Sequence, residues 1–221
     1  MTEPASSLKV AVDTAVAKAM EAAASHGLLL KSDPKLPSVT TMVAGEPVRG
    51  SWWGHPMGRQ IFRVLEILAD REDLTIVKLI SGKDTFVHKR LFAALVSIGT
   101  AREDWQLAGL SGLARGLLEL VDAEGIVNTQ NLRLPGAGTK KSAGEAAREL
   151  EAVLLTRGEN VHTSSGKHAK CLEDWKRWGE RAGLRNKPAV ENAKQEFEGI
   201  LKSLNDAVKA KGRLPWPATR G

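Results

Sequence analysis

The sequence predicts a mainly helical α+β protein, with a helix–hairpin–helix unit, a winged-helix-like unit and flanking helices. Three observations lead there. Apolar residues recur at helical spacing in several long segments, and short runs rich in β-branched residues are joined by small-residue turns. After residue 104 the order is helix, loop, capped helix, hairpin, which is the order of a winged helix. The 221 residues are 42% apolar, enough to bury a core without disulfide or metal staples.

Residues 1–35 read as an N-terminal helix and linker. Leu8, Val12, Ala15, Val16, Ala19 and Ala23 form an apolar stripe that predicts a helix over residues 8–24, and two prolines end the element within residues 31–38. Residues 36–103 form the helix–hairpin–helix unit. Residues 39–44 are a short apolar segment that leads into Gly50-Ser51-Trp52-Trp53-Gly54-His55-Pro56. Pro56 suits a first helical position, because the N–H that it lacks would be unpaired there. The helix expected over residues 57–69 buries Ile61, Val64, Leu65 and Leu68. Residues 74–80 and 85–88 are then the strands of a hairpin around Ser81-Gly82-Lys83-Asp84, and a helix over residues 90–98 closes the unit.

Residues 104–184 are the winged-helix-like unit. A helix is expected over the apolar stretch 107–121, which glycines at 109, 112 and 116 loosen, and a loop over 128–139. Ser142 with Glu145 three positions on is a capping box, so a helix starts there and buries Ala146, Leu150, Val153 and Leu154. Strands at 159–163 and 168–172 flank the turn Ser164-Ser165-Gly166-Lys167. A helix over 172–183 follows, carrying Leu172, Trp175, Trp178 and Ala182 on one side. Residues 185–221 supply a last helix over 189–209, striped by Val190, Phe197, Ile200, Leu201, Leu204 and Val208, and an extended tail.

Lys and Arg outnumber Asp and Glu by 32 to 26, a net charge of +6, with a pI near 9.5. The surplus is concentrated. Arg157, Lys167, Lys170, Lys176, Arg177, Arg181, Arg185 and Lys187 lie in one stretch with four acidic residues, and such a field attracts polyanions through counterion release. No apolar run is long enough to span a membrane and no leader pattern precedes residue 8, so a cytoplasmic protein is expected. The single Cys171 excludes an internal disulfide framework and a thiolate zinc site. It reads as a small packed residue.

The segments Gly50-Ser-Trp-Trp-Gly-His-Pro-Met-Gly, Lys78-Leu-Ile-Ser-Gly-Lys-Asp-Thr-Phe-Val-His-Lys-Arg-Leu and Val161-His-Thr-Ser-Ser-Gly-Lys-His resemble a group of short, functionally undescribed bacterial proteins over about residues 36–184. The resemblance implies that this block is one unit. It carries no activity, ligand or site residue across.

The residues themselves support three readings. In the first, a nucleic-acid-binding protein, most plausibly for DNA, has Lys140, Lys141, Arg148, Lys167, Lys170 and Arg177 on phosphate while the helix from Ser142 approaches the groove. Trp52 and Trp53 either stack unpaired bases, with Arg49 and Arg59 on phosphate, or anchor their loop on the core. In the second, His55, His88, His162 and His168 converge as an enzyme site on nucleic acid or a phosphorylated substrate. They all fall at element ends, and His162 and His168 flank a tight turn, where two imidazoles on one face bind a metal or act as acid and base. The bland alternative is that they only make hydrogen bonds. In the third, the first and last helices pair with another chain, as in a homodimer. No spaced metal motif, P-loop, Rossmann glycine fingerprint or Gly-x-Ser-x-Gly elbow is present, so no cofactor is expected and nucleotide hydrolysis is disfavoured.

Overall fold

Apolar stripes punctuated by glycine, proline and capping residues divide the chain into mostly short helices and two small sheets. The computed structural model describes residues 5–132, 140–162 and 168–217. It runs α1 (Ala5–His26), β1 (Leu28–Leu30), α2 (Val39–Ala44), α3 (Gly58–Ala69), β2 (Leu74–Lys78), β3 (Asp84–His88) and α4 (Phe92–Thr100). Then follow α5 (Asp104–Leu107), α6 (Gly112–Glu124), β4 (Ile126–Asn128), α7 (Lys140–Ala152), β5 (Arg157–His162), β6 (His168–Glu173), α8 (Trp175–Arg181) and α9 (Val190–Val208). The protein is thus α+β and mainly helical. Its elements form two units, the first from residues 1–76, 83–91 and 197–213, the second from 77–82, 92–196 and 214–221. Helix α4 therefore falls in the second unit and α1 in the first.

In the first unit, the four positions expected to face inward on α3 are all buried: Ile61, Val64, Leu65 and Leu68. They share a core with Val12, Ala19 and Ala23 of α1, Val39 and Val43 of α2, Leu29, Leu74 and Phe86. The sheet order is β1–β3–β2, and β1 runs antiparallel to β3 with Leu29 opposite Phe86. Sequence reading missed β1, because three consecutive leucines carry no periodicity. Asp33, in the connector that follows, accepts from the Lys35 and Leu36 amides at 2.8 Å each and from Lys83 Nζ at 2.6 Å. Burial would raise its carboxyl, but these hydrogen bonds outweigh burial and hold it below the usual carboxylate range.

Pro56 does not open α3. His55 turns the chain first, because its Nδ1 accepts from the Met57 amide at 3.1 Å and its carbonyl accepts from the Gly58 amide at 2.7 Å. The helix begins at Gly58.

In the second unit the expected helix over 107–121 is two helices. Ser111 ends the run between them by accepting from the Ala114 amide at 3.2 Å, which caps α6. Helix α7 starts at Lys140, so Ser142 lies inside its first turn and is not the cap. Strand β6 is central in the order β4–β6–β5, antiparallel to both neighbours. Ala143, Ala146, Ala147 and Leu150 of α7 meet Ala114, Leu117, Leu118 and Val121 of α6 in one core with Val127, Leu155 and Leu172.

Helix α8 packs on α4 around Trp175, which has no solvent exposure. Its indole N–H donates to the Leu154 carbonyl at 2.8 Å. Phe92 meets Trp178 edge-on at 4.8 Å. Of the apolar stripes on the first and last helices, Val12, Ala19 and Ala23 of α1 and Phe197, Leu201 and Leu204 of α9 are buried, whereas Leu8, Ala15, Val16, Val190 and Ile200 are half-buried and Val208 is 39% exposed. Among the described residues no helix is long and apolar enough to cross a membrane.

A Cβ at Gly99 would lie 2.6 Å from Trp175 Nε1, and the indole cannot retreat without breaking its bond to Leu154. Gly99→Ala gains at most about 1 kcal/mol of helix propensity and incurs about 1–3 kcal/mol of overpacking. The expected outcome is net destabilisation, read as a lower urea midpoint at unchanged m-value.

Candidate nucleic-acid interface

The interface expected from sequence centres on α7 and the β5–β6 hairpin. Alanines on the inner face of α7 allow it to lie close on α6, and Glu149 fixes its register there: its carboxylate accepts from the Ser111 amide at 3.0 Å and from Ser111 Oγ at 3.1 Å. With that side buried, Glu145 and Arg148 face solvent. Arg148 makes no ion pair or hydrogen bond among the described residues. Lys140 and Lys141 stand in the first turn of α7, with their side chains outside the described set, as is the whole of Lys167. In the hairpin His162 is directly opposite His168 in the register, as their spacing predicts; their side chains too lie outside the described set.

Much of the basic surplus in residues 157–187 has partners inside the second unit. Lys170 Nζ sits 2.7 Å from Glu151 Oε1, whose side chain is 8% exposed. The Lys170 amide and carbonyl both bond to Thr129 Oγ1, at 3.1 and 3.0 Å. Glu173, 6% exposed at its side chain, accepts from Arg181 at 2.6 Å and faces Arg157 NH1 at 3.4 Å. Arg157 also reaches Glu159 at 3.0 Å and lies over the Trp178 ring, 5.8 Å from its centroid. Arg177 donates to the Glu124 carbonyl at 2.9 Å, holding the C-terminal end of α6 while staying exposed. Lys176, Arg185 and Lys187 remain exposed. Sequence reading missed Glu151 and Glu173, because nothing local marks which carboxylates a fold will bury.

The remaining candidates belong to the first unit or are inert. His55 Nδ1 is an acceptor for the Met57 amide, so Nε2 carries the proton toward Glu46 Oε1 at 3.3 Å. His88 Nδ1 lies 3.4 Å from the Arg90 amide. Burial pushes the His88 imidazole below its usual range, and Lys89 and Arg90 push the same way against Asp73. Each histidine thus has a local structural bond. Cys171 is half-buried, and burial with the Glu159 and Glu173 carboxylates pushes its thiol up, which disfavours the nucleophilic thiolate. Trp52 and Trp53 stack on each other at 4.1 Å with 23° between ring planes. Trp52 is half-buried against the core, whereas Trp53 is 64% exposed. This is the arrangement of a loop anchored on the core, with one ring inside and the other at the rim. Among the described residues no three His, Cys, Asp or Glu side chains cluster to hold a metal ion.

No protein-family model, curated protein or solved structure matches the chain.

Removing Lys170 strands a buried carboxylate, one of whose oxygens, Oε2, already has no hydrogen-bond partner. Lys170→Ala is expected to lower stability by about 1–3 kcal/mol. Adding Glu151→Gln should recover part of that loss, since the neutral amide tolerates burial better. Chemical unfolding of the two single variants and the double variant, as a thermodynamic cycle, measures the coupling.

Proposed function

We propose that the second unit binds duplex DNA in the manner of a winged helix. Helix α7 approaches the groove and the β5–β6 hairpin touches the backbone. The observation that carries this reading is topological: α6, β4, α7, β5 and β6 follow one another and close into a sheet ordered β4–β6–β5. Helix α7 packs by its alanine face and leaves Arg148 outward. A helix N-terminus that also carries Lys140 and Lys141 adds the partial positive charge of unpaired amides to two ammonium groups. Lys167, between β5 and β6 in the sequence, adds a further cation.

Within this reading the basic residues take different roles. Lys140, Lys141, Arg148 and Lys167 contact phosphate. Arg177 holds the end of α6 and offers its remaining N–H groups at the rim. Lys170 acts through Glu151, holding β6 against α7, and so positions the hairpin instead of gripping the ligand.

A second reading rests on one observation, the placement of His162 directly opposite His168. Two histidines paired in register are the residue types that acid–base or metal-assisted chemistry on a phosphodiester uses. Incubating an end-labelled duplex with the protein, with and without a divalent metal, and resolving the products on a gel tests it. Intact duplex under all conditions counts against it.

The binding reading is tested by anisotropy of a labelled 20-base-pair duplex across a salt series. Each phosphate contact removed should reduce the log–log salt slope by about 0.9. The combined Lys140→Ala, Lys141→Ala and Lys167→Ala variant is expected to bind weakly and with a flatter slope, and Arg148→Ala to share the effect. Unchanged affinity and slope in the combined variant would overturn the reading.

A further inference from the structure

We infer that the first unit carries a separate site for an unpaired stretch of single-stranded nucleic acid, a ledge formed by Trp53 and Phe62 and flanked by Arg49, Arg59 and Arg63. For the class of its ligand this inference rests on the nucleic-acid reading of the second unit, but its residues and its test are distinct.

The ledge departs from how this chain treats its other large aromatics. Trp175, Trp178 and Trp216 are at most 6% exposed, whereas Trp53 is 64% exposed. Yet Trp53 is held firmly. One contact is the Trp52 ring at 4.1 Å, itself packed on the core. Another is Phe62, with centroids 5.3 Å apart and planes tilted by 38°. The backbone beneath is equally constrained, because the Trp52 and Trp53 carbonyls lie 3.1 and 3.0 Å from where a Cβ on Gly58 would be. A side chain there would press on both carbonyls, so the turn would have to shift by a few tenths of an ångström to admit it. An indole kept in water but fixed in place offers a planar ligand a stacking surface whose ordering cost is already met by the fold.

The flanking charge selects the ligand. Arg49, Arg59 and Arg63 are exposed, and none has an ion pair or hydrogen bond among the described residues. Arg59 precedes Phe62 and Arg63 by one helical turn, so the cations and the ring are neighbours on α3. Of the acidic residues near this segment, Glu46 already faces His55, and Glu66 lies one turn beyond Phe62 and Arg63 on α3, leaving a net positive charge along the ledge. Three guanidinium groups without partners among the described residues, one in the segment before Trp53 and two on the helix that carries Phe62, match a ligand that is both polyanionic and planar. A duplex keeps its bases stacked inside, out of the indole's reach. An acidic peptide brings the charge without the planar groups. A single strand brings both.

The test uses the full chain and a labelled twelve-nucleotide oligothymidine, with a duplex measured in parallel. Trp53→Ala is expected to weaken single-strand binding roughly tenfold, in line with the usual value of one base–aromatic stack, and to leave duplex affinity unchanged. Trp53→Phe should retain most of the binding. Arg59→Gln and Arg63→Gln should each flatten the log–log salt slope by about 0.7. The exposed position of Trp53 keeps these variants folded, and thermal melts by circular dichroism verify that. No single-strand binding by the unaltered protein at low salt overturns the proposal. So does unchanged single-strand affinity in Trp53→Ala, or an equal loss of single-strand and duplex binding. Polyglutamate competing as well as unlabelled oligothymidine also overturns it, by reducing the site to a cationic patch. The two proposals fail separately: a combined Lys140→Ala, Lys141→Ala and Lys167→Ala variant with intact duplex binding removes the winged-helix reading, while a Trp53-dependent single-strand signal would still stand.

Discussion

The second unit depends on the bond from the Trp175 indole to the Leu154 carbonyl. Leu154 follows α7 in the left-handed backbone region, at φ 56°, where a leucine is strained unless its surroundings hold it. Trp175 supplies that hold, fully buried and donating its one N–H to the carbonyl of the strained residue. The chain can then leave α7, form the hairpin and return into α8. Because α8 is also packed on α4 beside Gly99, the end of α7 and the root of the hairpin are tied to one point. The positions of Arg148 and of strands β5 and β6 follow from that tie.

Electrostatics in this unit is organised from the inside. Two buried carboxylates, Glu151 and Glu173, collect Lys170, Arg157 and Arg181. A buried ion pair contributes little net stability, since desolvating both charges offsets their attraction, but an unmatched one is costly. Its consequence is therefore selectivity among arrangements: β6 can lie against α7 only where Lys170 reaches Glu151. Among the described residues of this unit the cations without an ion-pair partner are fewer than the composition implies, and they include Arg148 on α7, Arg177, Arg185 and Lys187.

The first unit spends its aromatic residues differently. A turn whose carbonyls lie tight against Gly58 carries two tryptophans, one of which belongs to the core and one to the surface. His55, a candidate catalyst in sequence, has both ring nitrogens engaged nearby, one with the Met57 amide and one with Glu46. Its visible role is to shape the turn that presents Trp53.

The sequence by itself determined what short-range physics decides. The inward face of α3, the extents of α1 and α9, the strands β2 and β3, and the hairpin β5–β6 with His162 opposite His168 were all legible, because periodicity and turn chemistry act over a few residues. The break at Ser111 and the presence of Lys140 in α7, ahead of the expected cap at Ser142, were not, since local signals leave helix ends open by a residue or two. Strands β1 and β4, three residues each, exist only because β3 and β6 lie beside them. The tertiary structure alone decided which of two adjacent tryptophans faces water and which basic residues remain free. Burial and ion pairing are set by groups distant in sequence, and no local pattern encodes which carboxylate will lie within 3 Å of which amine.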